Sequence, residues 1–526
     1  MRKVLAVAAV ALFCAAPAAT ASAGSGSREL QDAVTTRGIL VHDGVLQAIG
    51  LVANGNRLAG APGHDASALY VGARAAAAGL KVSTEPFDYD LDFLADYKQP
   101  ILRVVSGGAH RSFNPGIAGA TGAEFGGDFG SEYASQSTDI TAPVWAIDLK
   151  IPPGPDPNGN TSGCELEDYA GMPAGAIALV QRGTCSFAQK FLTADAAGVG
   201  GMVLFNEGQP GRTAPPPWFD ITGIKTPTFG ATFETGAALA NGVQNGDTGL
   251  RARFRLDWRP GTYGTKNVIA ETRSGDPDHV IVVGAHLDSV GTGSGINDNG
   301  SGSAMNLEIA EQIARLKLRN KVRFVWFSAE ESGLLGSEAY VAGLSDAERA
   351  QIAAMLNFDM VASPNFARFV YDGDLSDSEP PPGGAPPGSA DIEDIFLDYF
   401  AGRGLANEPT PFDGRSDYGP FIAVGIPAGG LFTGAEEIKT PEQVALYGGT
   451  AGLPFDICYH QGCDNLLNLN RRALDEMSDA AAHATITLAQ ATTLPPRGAA
   501  EPSVQALSLR DGLPAGVPRP VRPDGN

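Results

Sequence analysis

The spacing of apolar residues changes along this chain. Leu46, Ile49 and Val52 recur at intervals of three, and Ala68, Val71, Ala75 and Ala78 at intervals of three and four, which predicts two helices. Between them, Asn56-Arg57-Leu58-Ala59-Gly60-Ala61-Pro62-Gly63 has the glycine and proline content of a loop. Residues 80–82 open a strand. From 139 to 258, short β-branched runs alternate with Gly- and Pro-rich stretches such as Ile151-Pro152-Pro153-Gly154-Pro155. Within this region 177–180 and 202–205 are expected as buried strands. The segment 187–197 is expected as a helix stopped by Gly198. From 259 onward β and α patterns alternate. The apolar runs 280–284, 322–327, 355–358 and 421–426 suit strands, the first an unbroken run of the kind covered on both faces, and 304–316 is apolar at helical spacing. This alternation predicts an α/β fold, a three-layer domain built on a mostly parallel sheet and interrupted by an inserted β-rich domain.

Length and charge narrow the picture. A chain of 526 residues is too long for one core, and 18% charged with 43% hydrophobic residues is an ordinary globular composition. A formal charge of -22 leaves no basic surplus to neutralise phosphates, so a nucleic-acid partner is excluded. Arg2 and Lys3, the apolar run 4–16 and Ala21-Ser22-Ala23 read as a signal peptide over 1–23, hence a secreted, extracytoplasmic protein. No later stretch is long and apolar enough to span a membrane. Residues 24–36 are polar, a candidate pro-segment, and 491–526 form a Pro/Gly-rich tail expected to be flexible. Cys14 leaves with the signal peptide. Cys164 with Cys185, and Cys458 with Cys463, are close pairs, and an even count in an exported chain predicts two disulfides.

The candidate chemistry lies at the ends of the predicted strands. His286 follows 280–284, Glu330 and Glu331 follow 322–327, and Asp359 follows 355–358. Asp298 stands in a Gly-rich loop before a helix, and His460 comes later in the chain. In open α/β sheets ligands bind beyond the carboxyl ends of strands, so these side chains are directed to one rim. Imidazole and carboxylate suit zinc. Two zinc ions need a bridging carboxylate and terminal ligands on either side, a requirement that two histidines and three carboxylates meet. Asp288, two residues past His286, is placed to hold the other ring nitrogen. Glu330 stands beside a candidate ligand, where a proton shuttle is needed. A carboxylate-rich centre favours a free amine over a carboxylate, hence aminopeptidase action on peptides. A carboxypeptidase or deacylase on the same scaffold is the alternative. No Gly-x-Ser-x-Gly elbow supports a serine hydrolase.

Ala285-His286-Leu287-Asp288, Asn297-Asp298-Asn299, Glu330-Glu331, Phe358-Asp359 and Tyr459-His460 resemble the motifs of the secreted co-catalytic di-zinc aminopeptidases. The resemblance covers about 40–100 and 259–490. It implies His286 and Asp359 as ligands of opposite metals, Asp298 as the bridge, Glu331 and His460 as the remaining ligands, and Glu330 as general base. It also implies a cis peptide at Asp298-Asn299. Arg415 and Asp417, in Gly414-Arg415-Ser416-Asp417-Tyr418, resemble a substrate-side loop, although the family has His where this chain has Tyr418. Tyr459 is a candidate oxyanion donor. Phe432, in Gly429-Gly430-Leu431-Phe432, resembles a wall of the side-chain pocket and suggests a large apolar N-terminal residue. Asp475 and Asp479, four apart, resemble a calcium pair of some relatives. Gly163-Cys164-Glu165 and the run from Gly175 to Phe187 resemble a protease-associated domain, which implies a Cys164–Cys185 bridge. The expected organisation is a peptidase domain over 37–138 and 259–490, the protease-associated insertion over 139–258, and a monomer.

Overall fold

The computed structural model describes residues 27–498 except 92–97, 107–109, 117–126, 134–136, 156–158, 211, 217–224, 258, 260 and 382–383. The expected signal peptide therefore lies outside the described residues. Eight strands form the principal sheet: β1 Lys81–Leu91, β2 Gly261–Glu271, β3 Asp276–His286, β4 Asn320–Phe327, β5 Ile352–Phe358, β6 Phe369–Tyr371, β7 Glu408–Thr410 and β8 Ala428–Phe432. Their spatial order is β1-β2-β4-β3-β5-β8-β6-β7. The central block β4-β3-β5-β8 is parallel throughout, as expected for the part covered on both faces. β1, β2 and β6 join it antiparallel to their inner neighbours.

Alternate residues of each central strand feed two cores. Ile281 and Val283 of β3 pack with the helices Thr36–Val52, Gly302–Ile313 and Arg471–Gln490 through Leu46, Ile309 and Leu474. Val280 and Val282 face the other way, toward Tyr340 and Val341 of the helix Leu335–Gly343. This is the expected three-layer arrangement.

One expected strand is wrong. Residues 421–426 do not extend. The helix Gly419–Ala423 occupies their start, with Pro420 in its first turn, and the strand begins only at Ala428. The Gly429-Gly430 pair reads as a turn yet lies inside β8. A Cβ on Gly430 would stand 1.8 Å from the Asn357 carbonyl oxygen of β5, so only glycine lets the strands approach.

The second sheet belongs to the insertion. Its order is Arg111–Ser112, Ile101–Val104, Gly246–Leu256, Thr138–Ile147, Ile177–Gln181, Gly201–Phe205, Thr228–Ala231, Phe129–Tyr133. The unit thus recruits strands from 101 onward, and the boundary expected at 139 falls inside it. The helix Phe187–Ala197 ends at Gly198 in the left-handed conformation, as its sequence requires. At the chain ends, two expectations meet packed residues. Within the candidate pro-segment, Ser27–Ala33 is helical, and Ser27 Oγ lies 2.7 Å from His483 Nδ1. Within the expected flexible tail, Arg497 donates to the Ile352 carbonyl at 2.9 Å, and the Pro496 carbonyl accepts from Gly388 N–H at 2.9 Å.

Candidate metal centre

His286 is the last residue of β3, held by its backbone carbonyl, which accepts from Ser303 Oγ at 2.5 Å. Glu330 and Glu331 follow β4 after a turn in which Ala329 takes a left-handed φ of 57°. Asp359 follows β5 directly and precedes Met360 at φ 47°. Non-glycine residues reach this region only where surrounding contacts impose it; Ala329 adjoins the candidate base Glu330, and Met360 adjoins the candidate ligand Asp359. His460 itself sits at φ 55° in the loop closed by the Cys458–Cys463 disulfide. The second expected disulfide, Cys164–Cys185, is also formed.

These five elements converge. His286 Nε2 lies 3.3 Å from Asp298 Oδ1 and 3.3 Å from Asp359 Oδ1. His460 Nε2 lies 3.1 Å from Asp298 Oδ2 and 3.0 Å from Glu331 Oε2. Asp298 therefore turns one oxygen toward each imidazole. Glu330 Oε2 stands 3.9 Å from His286 Nε2. Asp298 Oδ2 and Asp359 Oδ1 are buried and carry no hydrogen bond, an expensive state for carboxylate oxygens unless a cation serves them. Separations of about 3–3.5 Å are those between donor atoms sharing one tetrahedral zinc at ~2.0–2.2 Å. Donor types, spacing and orphaned oxygens all fit zinc.

The surrounding field points the same way. Burial disfavours charge on His286, but Asp359 and Glu330 outweigh it and lift its pKa well above the ordinary histidine value. Burial acts likewise on His460, and Glu331 and Asp298 overturn it. Burial raises Glu330 well above the usual carboxylate range. The centre thus draws positive charge, whether a metal or a substrate amine.

A second ring of residues fixes the first. Ser416 Oγ donates to Asp359 Oδ2 at 2.7 Å and accepts from Asn357 Nδ2 at 2.8 Å. Glu331 Oε1 accepts from Val290 N–H at 3.1 Å. Asp288 Oδ1 faces His286 Nδ1 at 3.7 Å and accepts from Glu330 N–H at 3.3 Å. The peptide between Asp298 and Asn299 is cis. Asp464 accepts from the backbone N–H groups of Asn297 and Asp298 at 2.8 and 3.0 Å. Asp456 accepts from Asn297 Nδ2 at 2.6 Å. Sequence reasoning passed over Asp456 and Asp464; their one signal was that they bracket the Cys458–Cys463 loop.

Five sequence candidates are engaged with other partners. Tyr418 is buried against Phe412, rings 4.8 Å apart, and its hydroxyl accepts from Gly414 N–H at 2.9 Å, so it is a core residue. Arg415 is exposed, 4.0 Å from Glu436. Phe432, half-buried at the end of β8, stacks on Phe369 with ring centroids 6.0 Å apart. Thr36 Oγ1 donates to Asp475 at 2.5 Å, and Asp479 faces Arg403 at 4.0 Å. Asp417 is buried, and neither of its oxygens has a hydrogen bond. Tyr459 stacks on His460, rings 3.9 Å apart.

Comparison with known proteins decides the family. Residues 267–485 match peptidase family M28, and residues 140–239 match the PA domain. An aminopeptidase of Pseudomonas aeruginosa (strain UCBPP-PA14) is 45% identical over 458 residues, covering 85% of this chain and 80% of that protein. The chain belongs to peptidase family M28. A probable leucine aminopeptidase 2 of Aspergillus fumigatus is 43% identical to this M28 peptidase over 366 residues, 69% of the chain and 70% of the relative. Among solved structures, the aminopeptidase from Aneurinibacillus sp. strain AM-1 shares its fold at a TM-score of 0.50 and 23% identity, over 89% of this chain and 97% of that one. A zinc aminopeptidase from Bacillus subtilis does so at 0.50 and 23%, over 87% and 96%. The M28 peptidase is thus an enzyme with a PA domain inserted in its catalytic domain.

Proposed function

We propose that this peptidase is a secreted aminopeptidase that holds two zinc ions and releases large apolar residues from peptide N-termini. The observation that carries the dinuclear centre is the division of Asp298, with Oδ1 at 3.3 Å from His286 and Oδ2 at 3.1 Å from His460. His286 with Asp359, and His460 with Glu331, would complete the two halves. Zinc bound there supplies Lewis acidity, which polarises the scissile carbonyl and makes water nucleophilic near neutral pH. Glu330 accepts the proton of the attacking water and delivers it to the departing amine. Tyr459, beside His460, donates to the developing oxyanion. The carboxylates around the centre hold the α-ammonium of the substrate. Arg415 already faces Glu436, and Arg57 spends its guanidinium on backbone carbonyls, so a basic clamp for a substrate carboxylate is lacking among these two. That disfavours the carboxypeptidase alternative. The apolar preference draws support from the leucine aminopeptidase named above and from exposed Ile438 and Ile457 in the segment leading to His460. Secretion draws support from the two disulfides. Calcium at Asp475 and Asp479 is not proposed, because Arg403 already supplies positive charge beside Asp479.

Leucine p-nitroanilide and its N-acetylated form, each with and without a chelator, test the proposal. Cleavage of the free-amine compound alone, abolished by the chelator, is expected. Cleavage of the blocked compound alone would end the aminopeptidase proposal, and chelator-resistant turnover would end the zinc proposal. Glu330→Gln should lower kcat by roughly 10²–10⁴-fold with zinc content unchanged, the range for loss of a general base.

A further inference from the structure

We infer that Arg57, more than two hundred residues before the centre in sequence, is a positioning residue that sets the spacing of its two halves; this rests on the dinuclear centre proposed above. Arg57 has no exposed surface, and all three of its guanidinium nitrogens meet backbone carbonyls of one irregular stretch. Nε donates to the Ser294 carbonyl at 2.7 Å, Nη2 to that of Gly295 at 2.5 Å, and Nη1 to that of Leu287. Its own backbone N–H donates to Ser289 Oγ at 2.9 Å. Next to it, Asn56 Nδ2 donates to the Gly291 carbonyl at 2.9 Å.

The Leu287 and Ser294 carbonyls lie in the connection between β3 and the turn that presents Asp298, outside any sheet ladder or helix, so a partner must come from elsewhere, whereas that of Gly295 also accepts from Gly300 N–H at 3.0 Å. Leu287 separates His286 from Asp288. Gly295, at φ 58°, folds so tightly over the Asp298 turn that a Cβ there would stand 2.2 Å from the Asp298 carbonyl oxygen. One rigid planar fork therefore joins the end of the stretch that carries His286 to the end that carries Asp298. A lysine ammonium is a single point on a flexible stem and cannot hold three separated carbonyls in that pattern. Burying a cation costs much more than filling the same space with an apolar side chain. Asp288, Asp464, buried Asp43 and Asp298 around it offset part of that cost, though burial still holds the Arg57 pKa below the ordinary arginine value. An interior built for packing alone would use neither the cation nor its counter-charges.

The test uses the full-length protein and Arg57→Lys, with zinc affinity measured by competition against a chromophoric chelator, the visible spectrum of the cobalt-substituted form, and separate kcat and KM on leucine p-nitroanilide. Wild-type protein should hold two zinc ions. Arg57→Lys should bind one of them roughly 10–100-fold more weakly, the usual effect of losing a residue that orients metal ligands. Its cobalt spectrum should change, and kcat should fall more than KM rises. A lowered melting temperature with wild-type zinc affinity and cobalt spectrum would overturn the inference and leave a purely structural arginine. Wild-type protein that binds no zinc would instead overturn the reading of the centre itself. If Arg57→Lys does not fold, Asn56→Ala releases the Gly291 end of the same grip, together with the contact of Asn56 Oδ1 to Leu58 N–H, and leaves the three guanidinium contacts in place. It should shift zinc affinity in the same direction by a smaller factor, and an unchanged affinity there would count against the inference.

Discussion

Asp298 and His64 show at the residue scale how burial and partners set what a titratable group does. Asp298 is buried between two imidazoles, and their contacts outweigh its desolvation and pull its pKa below the ordinary value. His64 has no comparable partner: it is fully buried, Nδ1 is 3.4 Å from Thr265 Oγ1, and Nε2 has no hydrogen bond. Burial lowers its pKa from 6.5 to about 4, so the folded protein keeps it neutral. Between those values the unfolded chain binds a proton that the folded one refuses, so stability falls as pH falls from 6.5 toward 4. The loss is on the order of 2–3 kcal/mol by pH 4.5. His64→Gln should remove that increment, so that denaturant unfolding at pH 7 and pH 4.5 differs less in the variant than in wild type. Equal differences would show that His64 is protonated in the fold. Asp298 was legible in the sequence from its residue type and its Gly-rich setting. His64, Arg57 and Asp464 were not, because each matters through partners distant in the chain.

At the element scale, strand ends supplied the ligands that the sequence could place. β3, β4 and β5 each carry a largely apolar run, unbroken over 280–284, and each delivers an acid or imidazole within a few residues of its end. The 456–464 loop is a different device. It presents His460 on one side, and on the other Asp464 holds the Asn297 and Asp298 N–H groups, while Asp456 accepts from Cys458 N–H at 2.8 Å. The disulfide spans only five positions, so in the chain-entropy model it contributes about 2 kcal/mol. Its larger expected effect is on His460. The Cys458→Ser, Cys463→Ser variant should stay folded by circular dichroism yet lose zinc to a chelator faster than wild type. Equal loss rates would mean that Asp456 and Asp464 hold the loop without it. The misplaced strand at 421–426 has its cause at this scale too. Hydrophobicity located the apolar run, but the close approach of β5 to β8, which calls for Gly430, and of Ile392 to β8, which calls for Gly429, is invisible along one strand.

For the whole molecule, the placement of the insertion carries a prediction. Leu91 ends β1 opposite Gly261, which begins β2, so everything between them is the loop of one antiparallel hairpin. The second sheet also has its own cores, around Val144, Phe229 and Phe254 and around Val180 and Phe191. Replacing 92–260 by Asn-Gly, a two-residue hairpin turn, should therefore leave a folded catalytic domain. It should cleave leucine p-nitroanilide with a kcat of the same order. The insertion does reach the centre's rim: a Cβ on Gly462, two residues past His460, would meet Gln99 Nε2 at 2.7 Å and Pro115 Cγ at 3.5 Å. Longer peptides should feel its loss more than the anilide does, and equal effects on both would remove it from substrate access. The sequence alone determined the α/β class, the presence of an insertion, the paired cysteines and the candidate ligands. Each is written in local composition, in periodicity along a strand or helix, or in short motifs. Only the tertiary structure decided that Asp298 divides its oxygens between two imidazoles, that Arg57 ties their loops together, and that the insertion is a hairpin loop. Those facts are distances between segments far apart in the chain, fixed by how the layers pack and not by any residue's neighbours in sequence.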